Sequence, residues 1–232
     1  MSDIAKRNAA IAALEHVRPG MILGLGTGST AAIFVRLLAE RVGAGLDVRG
    51  VPTSEATHRL AQELGVVCLG PDEAFRIDLT VDGADEFDPE LRLVKGGGAA
   101  LLREKIIAEA SDRMIVITDA GKEVERLGRF ALPIEINPFG AELTRRRIHA
   151  LIGSVGLAEA QSAWRLTGQG ERLITDGGHY ILDLSCGVIP DPDGLAVVLD
   201  RVPGVVEHGL FIDLADLVIL GEIAGVRTVA RV

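Results

Sequence analysis

Aromatic side chains are scarce in this chain, with one Trp, one Tyr and six Phe among 232 residues. Stacking platforms for single-stranded nucleic acid are therefore lacking. Positive charge is short too: 24 Lys and Arg stand against 33 Asp and Glu, a formal charge of −9. That balance excludes a general binder of nucleic acid or of anionic membranes. Only two cysteines occur, Cys68 and Cys186. They form no C-x-x-C pair and no disulfide framework, and read as small apolar residues in a reducing compartment. The five histidines (His16, His58, His149, His179, His208) show no metal-ligand spacing, so no metal site is expected. No apolar run approaches the roughly 18 residues of a membrane span. The N-terminal residues lead into an amphipathic helix pattern and not a signal core, so the expected location is cytoplasmic.

Glycine is in excess: 28 of 232 residues, well above the roughly 7% of an average protein. In a folded, acidic chain that surplus points to loops built from backbone. The first half alternates short apolar runs with helical patterns. Met21 to Leu25, Val48 to Val51, Val66 to Leu69 and Met114 to Thr118 read as strands. Ile77, Leu79 and Val81 alternate with Asp78, Thr80 and Asp82, the period of a half-buried strand. Helices are predicted after Ser29, from a Ser54 cap to about Leu64, and from Ala100 to Ala110. The pattern changes near Gly128. Leu132 to Ile136 is strand-like, and Pro138 opens a helix through about Ile152. Strand candidates follow at Ala163 to Leu166, Leu173 to Thr175 and Tyr180 to Leu184, then a helix near Gly194 to Leu199. Val205-Val206, Leu217 to Leu220 and Val226 to Val229 read as strands returning to the first sheet. The expected fold is α/β: a Rossmann-like, mainly parallel sheet domain (residues 1–128 plus 204–232) carrying the chemistry. A smaller α+β, ferredoxin-like domain (129–203) completes it.

Three segments stand out chemically. Gly24-Leu25-Gly26-Thr27-Gly28-Ser29-Thr30 joins a strand to a helix, where amides and the helix dipole favour an anion. It is neither a dinucleotide fingerprint, which needs glycine at Ser29, nor a Walker loop, which needs lysine after Gly28. A small-anion cradle and a plain βα turn capped by Ser29 remain open. Asp82-Gly83-Ala84-Asp85-Glu86 lies at a strand's carboxyl end, where open parallel sheets place ligands; a solvated acidic turn is the plain alternative. Lys95-Gly96-Gly97-Gly98-Ala99-Ala100 puts three glycines and a cation before a helix, the composition of an anion or oxyanion site. On that helix, pattern alone puts Glu104 on a solvated face opposite Leu102 and Ile106. Lys122, after another strand end, reads equally as a helix-start lysine or a phosphate contact. Trp164, His179 and Tyr180 read as packing or loop residues.

In order and at these separations, the segments resemble the A-type ribose-5-phosphate isomerase family, as do Arg103-Glu104-Lys105-Ile106 and the tail from Pro203-Gly204-Val205-Val206 to Gly209-Leu210-Phe211. The resemblance runs from the first helix to the C-terminus. It implies interconversion of D-ribose 5-phosphate and D-ribulose 5-phosphate through an enediol, in the non-oxidative pentose phosphate pathway, without metal or organic cofactor. It also implies a homodimer or homotetramer. Glu104 matches the family's general base, which reverses the surface reading, and Asp82, Asp85 and Lys95 match its polar catalytic residues. Thr27, Gly28, Ser29, Thr30, Asp82, Gly83, Ala84, Asp85, Lys95, Gly96, Gly97, Gly98 and Lys122 match positions that hold substrate. Two alternatives from other classes are a sugar-phosphate sensor, disfavoured because only 23 residues precede the first glycine loop, and acyl transfer on a glutamate nucleophile.

Overall fold

The computed structural model describes residues 3–231. Its elements, in chain order, are α1 (Asp3–Leu14), β1 (Ile22–Leu25), α2 (Ser29–Gly43), β2 (Arg49–Pro52), α3 (Glu55–Glu63) and β3 (Leu79–Asp82). Next come β4 (Glu86–Phe87), β5 (Leu93–Val94), α4 (Leu101–Glu109), β6 (Met114–Asp119), β7 (Leu132–Ile136) and α5 (Ala141–Ile152). Last are β8 (Gln161–Trp164), β9 (Tyr180–Ser185), α6 (Pro192–Asp200), β10 (Val205–His208), β11 (Leu210–Phe211), β12 (Leu217–Glu222) and β13 (Gly225–Ala230). Two compact units divide the chain: Met1–Ala84 with Arg103–Glu123 and Asp213–Val232, and Asp85–Leu102 with Val124–Ile212. The segments 85–102, 124–128 and 204–212 thus group with the second unit, where the sequence division had put them in the first domain.

The first unit is a six-stranded sheet in the order β13-β12-β6-β3-β1-β2, parallel except for the edge strand β13. One face is an apolar layer in which Leu23, Leu25, Val81, Ile115 and Ile117 meet Ala9, Ala13 and Leu14 of α1 and Phe34 and Leu38 of α2. On the other face, Ile107 of α4 clusters with Val51 and Ile77. With both faces covered, β3 is buried at every position, which corrects the half-buried strand of the sequence reading. Its Thr80 hydroxyl is met locally, Oγ1 lying 2.6 Å from Ser111 Oγ. Val66 to Leu69 gives only a single bridge, Gly50 to Cys68, in place of a strand.

The second unit holds a four-stranded antiparallel sheet, β10-β7-β9-β8, and a three-stranded sheet, β11-β5-β4. The βαββαβ sequence β7-α5-β8-β9-α6-β10 with its last strand beside its first is the ferredoxin-like arrangement. Ile134, Leu182 and Leu184 pack with Ile148 and Ile152 of α5 and Leu195 and Leu199 of α6. Three expectations are corrected here. Val205-Val206 belongs to β10, which pairs with β7 in this sheet and not with the first one, because the short link from α6 returns the chain beside β7. Leu173 to Thr175 supplies only the bridge Ile174 to Tyr180 in place of a strand. The helix expected from Pro138 starts at Ala141, since Asn137 Oδ1 accepts the Phe139 N–H (2.9 Å) and makes a turn first.

Candidate active site

In the first unit, β1 leads to β2 on one side while β3 lies on its other side. The strand order reverses there, and open α/β sheets bind ligands at the carboxyl ends of such a pair. Both predicted motifs of this unit sit at that place. Beyond β1, the Thr27 N–H donates to Asp82 Oδ1 (3.0 Å), and the Gly83 N–H donates to the same oxygen (2.7 Å). The buried Asp82 carboxylate therefore ties the loop after β1 to the end of β3.

Gly28 is the N-cap of α2, with φ 113° and ψ 176° and no capping side chain. This left-handed conformation favours glycine, and it makes Ser29 the first helical residue rather than the cap. Gly28 and Ser29 are exposed while Thr30 is buried. The Thr27 hydroxyl turns inward to a cluster with Thr53 Oγ1 (2.8 Å), Ser54 Oγ (2.8 Å) and Thr57 Oγ1 (3.2 Å). Ser54 in turn caps α3 by accepting the Thr57 N–H (3.1 Å). Thr27 thus anchors the loop from beneath. Sequence reasoning missed Lys6: its Nζ donates to Ser29 Oγ (2.8 Å), bringing a cation from α1 to the start of α2. Twenty-three positions separate the two residues, and no local pattern signals the contact. Lys122 is half-buried in the turn after β6, which Asp119 fixes by accepting the Gly121 N–H (2.8 Å). Asp82 is paired with Val116 in the register of β3 and β6, so Lys122 follows the strand next to the one ending in Asp82.

Glu104 is 3% exposed, which corrects its placement on a solvated face. The inward stripe of α4 is Leu101, Glu104, Ile107 and Ala108, whereas Ile106 is exposed. The spacing i, i+3, i+6 and i+7 was readable, but an acid inside the stripe disguised it. Gly24 lets α4 approach the sheet: a Cβ there would stand 2.7 Å from Ile107 Cγ2 and would collide with Thr80 Oγ1. Ser111, bonded to Thr80, also donates to the Ile107 carbonyl (2.6 Å) and pins the end of the helix. Beside Glu104, Arg103 Nη1 reaches Glu55 Oε1 (2.8 Å), and that bond holds the Glu55 carboxyl below its usual range.

The remaining candidates lie in the second unit. The Asp85 N–H donates to the Val94 carbonyl (2.8 Å), and Asp85 Oδ2 accepts the Gly97 N–H (2.7 Å). Gly97 and Gly98 are exposed, whereas Lys95 and Gly96 are buried. The Lys95 N–H donates to the Gly209 carbonyl (2.8 Å), and its Nζ lies 5.3 Å from the centre of the Phe211 ring. Glu86, the third acid of its motif, turns away to a structural role. Its carboxylate accepts the Gly128 N–H (2.8 Å) and the Phe130 N–H (2.6 Å). The chain passes from one unit to the other inside the acidic motif, between Ala84 and Asp85, and again ahead of Glu104, between Leu102 and Arg103. Among the histidines, His208 approaches Asp200 and Glu207. Its Nδ1 accepts the Leu210 N–H (3.3 Å) and its Nε2 faces Asp200 Oδ1 (3.2 Å), so the ring is held by hydrogen bonds on both sides.

Residues 49–225 match the sequence model of ribose 5-phosphate isomerase A (phosphoriboisomerase A). The ribose-5-phosphate isomerase A of Agrobacterium fabrum is 60% identical over 98% of this chain and 97% of its own. That of Rhizobium meliloti is 59% identical over 96% of both. Among solved structures, ribose 5-phosphate isomerase from Plasmodium falciparum superposes with a TM-score of 0.92 at 34% identity, covering 99% of each chain. A D-ribose-5-phosphate isomerase in complex with phospho-erythronic acid gives 0.91 at 38% identity, covering all of both. The sensor and acyl-transfer alternatives are set aside by these relatives. The chain belongs to the ribose 5-phosphate isomerase A family and is an aldose–ketose isomerase of D-ribose 5-phosphate and D-ribulose 5-phosphate.

Proposed function

We propose that Glu104 carries the substrate proton in this isomerisation, with Asp82, Asp85 and Lys95 as its polar partners. The observation behind this reading is the burial of the Glu104 carboxylate on the inward stripe of α4, in the unit whose sheet presents the loop after β1. The aldose must first open its ring, which needs a proton delivered to the ring oxygen and one removed from the anomeric hydroxyl. Asp82 and Asp85 are suited to those transfers. Glu104 then takes the proton from C2, the electron pair moves into the C1–C2 bond, and an enediolate forms. Moving the hydroxyl proton from O2 to O1 and returning the carbon-bound proton to C1 gives the ketose, so the substrate is its own oxidant and reductant. The negative oxygen of the enediolate needs a preorganised cation or N–H donors, which Lys95 and the amides of Gly96 and Gly98 offer, while the Gly97 N–H holds the Asp85 carboxylate.

The phosphate is assigned to Gly28, Ser29 and Thr30 at the start of α2, where the helix dipole and first-turn amides favour an anion. Lys6 and Lys122 add charge there. Thr27, Gly83 and Ala84 shape the cradle through their backbone. A solved relative is described as binding phospho-erythronic acid. Its carboxylate on a phosphorylated chain matches the charge and shape of an enediolate, which supports the same assignment here. The reaction is placed in the cytoplasm. Among the described residues no helix is long and apolar enough to cross a membrane.

The test is Glu104→Gln, which keeps the shape and removes the base. Ribose 5-phosphate should still bind, while kcat falls about 10²–10⁴-fold, the usual contribution of a positioned general base. Exchange of the C2 proton with solvent deuterium, followed by NMR, should fall in parallel. Turnover near that of the wild type would remove Glu104 from the role.

A further inference from the structure

Arg165 lies just beyond β8, with its N–H donating to the Ile181 carbonyl of β9 (2.9 Å). Its guanidinium grips the β9 residue Asp183 in a fork, Nε to Oδ2 at 2.9 Å and Nη2 to Oδ1. Such bidentate pairing fixes the plane of the guanidinium as well as its charge. The remaining nitrogen, Nη1, donates to the carbonyls of Gly96 (2.6 Å) and Gly97 (3.2 Å). The side chains of Arg165 and Asp183 are only 15% and 23% exposed. All four residues belong to the second unit.

Three consecutive glycines have more conformational freedom than any other tripeptide, and here one cation holds two of their carbonyls. In a trans peptide the C=O and the following N–H point in opposite directions, and the described chain has no cis peptide bonds. The carbonyl of the Gly96–Gly97 peptide is held by Arg165, and its N–H donates to Asp85 Oδ2 (2.7 Å). The carbonyl of the Gly97–Gly98 peptide also faces Arg165, so the Gly98 N–H is aimed away from it. A cation on the carbonyls polarises both peptides and strengthens their N–H groups as donors. We propose that Arg165, locked by Asp183, is a positioning residue for the isomerisation: it aims the Gly97 and Gly98 amides and, through Gly97, orients the Asp85 carboxylate. The proposal rests on the reading that Asp85 and the Lys95–Gly98 loop meet the substrate.

The experiment compares Arg165→Ala, Arg165→Lys, Asp183→Asn and Lys95→Ala, each checked for folding by circular dichroism and urea midpoint. Arg165→Ala should lower kcat about 10²-fold, the scale of a misplaced catalytic group, while KM for ribose 5-phosphate moves less than about threefold because the phosphate is held elsewhere. Millimolar guanidinium should restore turnover several-fold and ammonium should not, a response that a purely structural role would not give. Arg165→Lys should recover little, because an ammonium cannot fork to Asp183 and reach both carbonyls. Asp183→Asn should lower kcat in the same direction, and adding it to Arg165→Ala should cost little more, as expected for residues acting as one unit. A folded Arg165→Ala with wild-type kcat, beside a crippled Lys95→Ala, would overturn the proposal and leave the site reading intact. Wild-type turnover in Lys95→Ala would instead overturn the reading beneath it. Should Arg165→Ala not fold, Asp183→Asn and Arg165→Lys decide the matter by the same kcat and KM criteria.

Discussion

Burial pushes the Cys186 thiol up to about 12 and shifts Cys68 in the same direction. Cys186 packs at the margin of the second unit's core, its Sγ donating to the Leu184 carbonyl (3.6 Å). A thiol whose folded value exceeds its unfolded one contributes stability in full below the unfolded value, near 9. That contribution is lost as pH rises towards 12. At pH 8 only about one Cys186 in ten thousand is a thiolate in the folded protein. A chromogenic disulfide reagent at that pH should therefore modify Cys186 only after urea is added, and fast labelling of both cysteines in the native state would contradict this environment. The sequence made both cysteines core-like, and the same logic of composition identified most of the chemically rich positions. It failed where an interaction is long-range or a buried acid breaks the pattern. Glu104 replaces an apolar residue in the α4 stripe, so periodicity pointed to the wrong face. Lys6 and Arg165 meet their partners only through the tertiary fold.

At the scale of elements, the turn between β4 and β5 shows how a two-residue strand pair is held. Asp88 is fully buried; its Oδ1 accepts the N–H groups of Glu90 (3.1 Å) and Arg92 (3.0 Å), and its Oδ2 accepts Arg92 Nε (2.7 Å). Arg92 also reaches Asp193 of α6 (3.2 Å), tying the turn to the unit's helical layer. Leu91, buried, takes φ 59° to close the turn, a conformation costing about 1–2 kcal/mol in a non-glycine residue. Desolvation outweighs the Arg92 pairing and pushes the Asp88 carboxyl up. Asp88→Ala should destabilise by about 2–4 kcal/mol by removing an acceptor shared by three donors. Asp88→Asn, which keeps the Oδ1 acceptor, should cost clearly less. Urea unfolding with an unchanged m-value would measure both, and equal midpoints for Ala and wild type would refute the assignment. Longer elements such as β1, α2, β6, β7 and β9 carry enough apolar residues to be legible without a structure. The strands β4, β5 and β11 are two residues each, too short to show a period. The partner of β10 depends on connectivity that no local pattern contains.

For the whole molecule, the glycine surplus and the charge deficit have one physical meaning. A chain of net charge −9 is poorly suited to polyanions, yet a single phosphate needs only amides and a few lysines; the loop starting at Gly24 is rich in backbone amides, and Lys6 reaches Ser29 within it. The sequence pattern changes near Gly128, but nothing in it signals that 85–102 groups with the second unit, because its strand β5 pairs with β11 more than a hundred residues later. The second unit also presents large apolar side chains: Phe139 is 93% exposed and Leu143, four residues on at the start of α5, is 68% exposed. Paired exposed side chains of that size favour burial against a second surface. We expect this unit to join copies of the chain into a homodimer or homotetramer. Light scattering coupled to size exclusion at micromolar concentration should give a multiple of the chain mass. Phe139→Asp combined with Leu143→Lys should shift it towards the monomer, since a charge buried without a partner opposes association. A wild-type protein that elutes as a monomer at every concentration would rule out this role, while Glu104→Gln, whose change lies in the other unit, should assemble like the wild type.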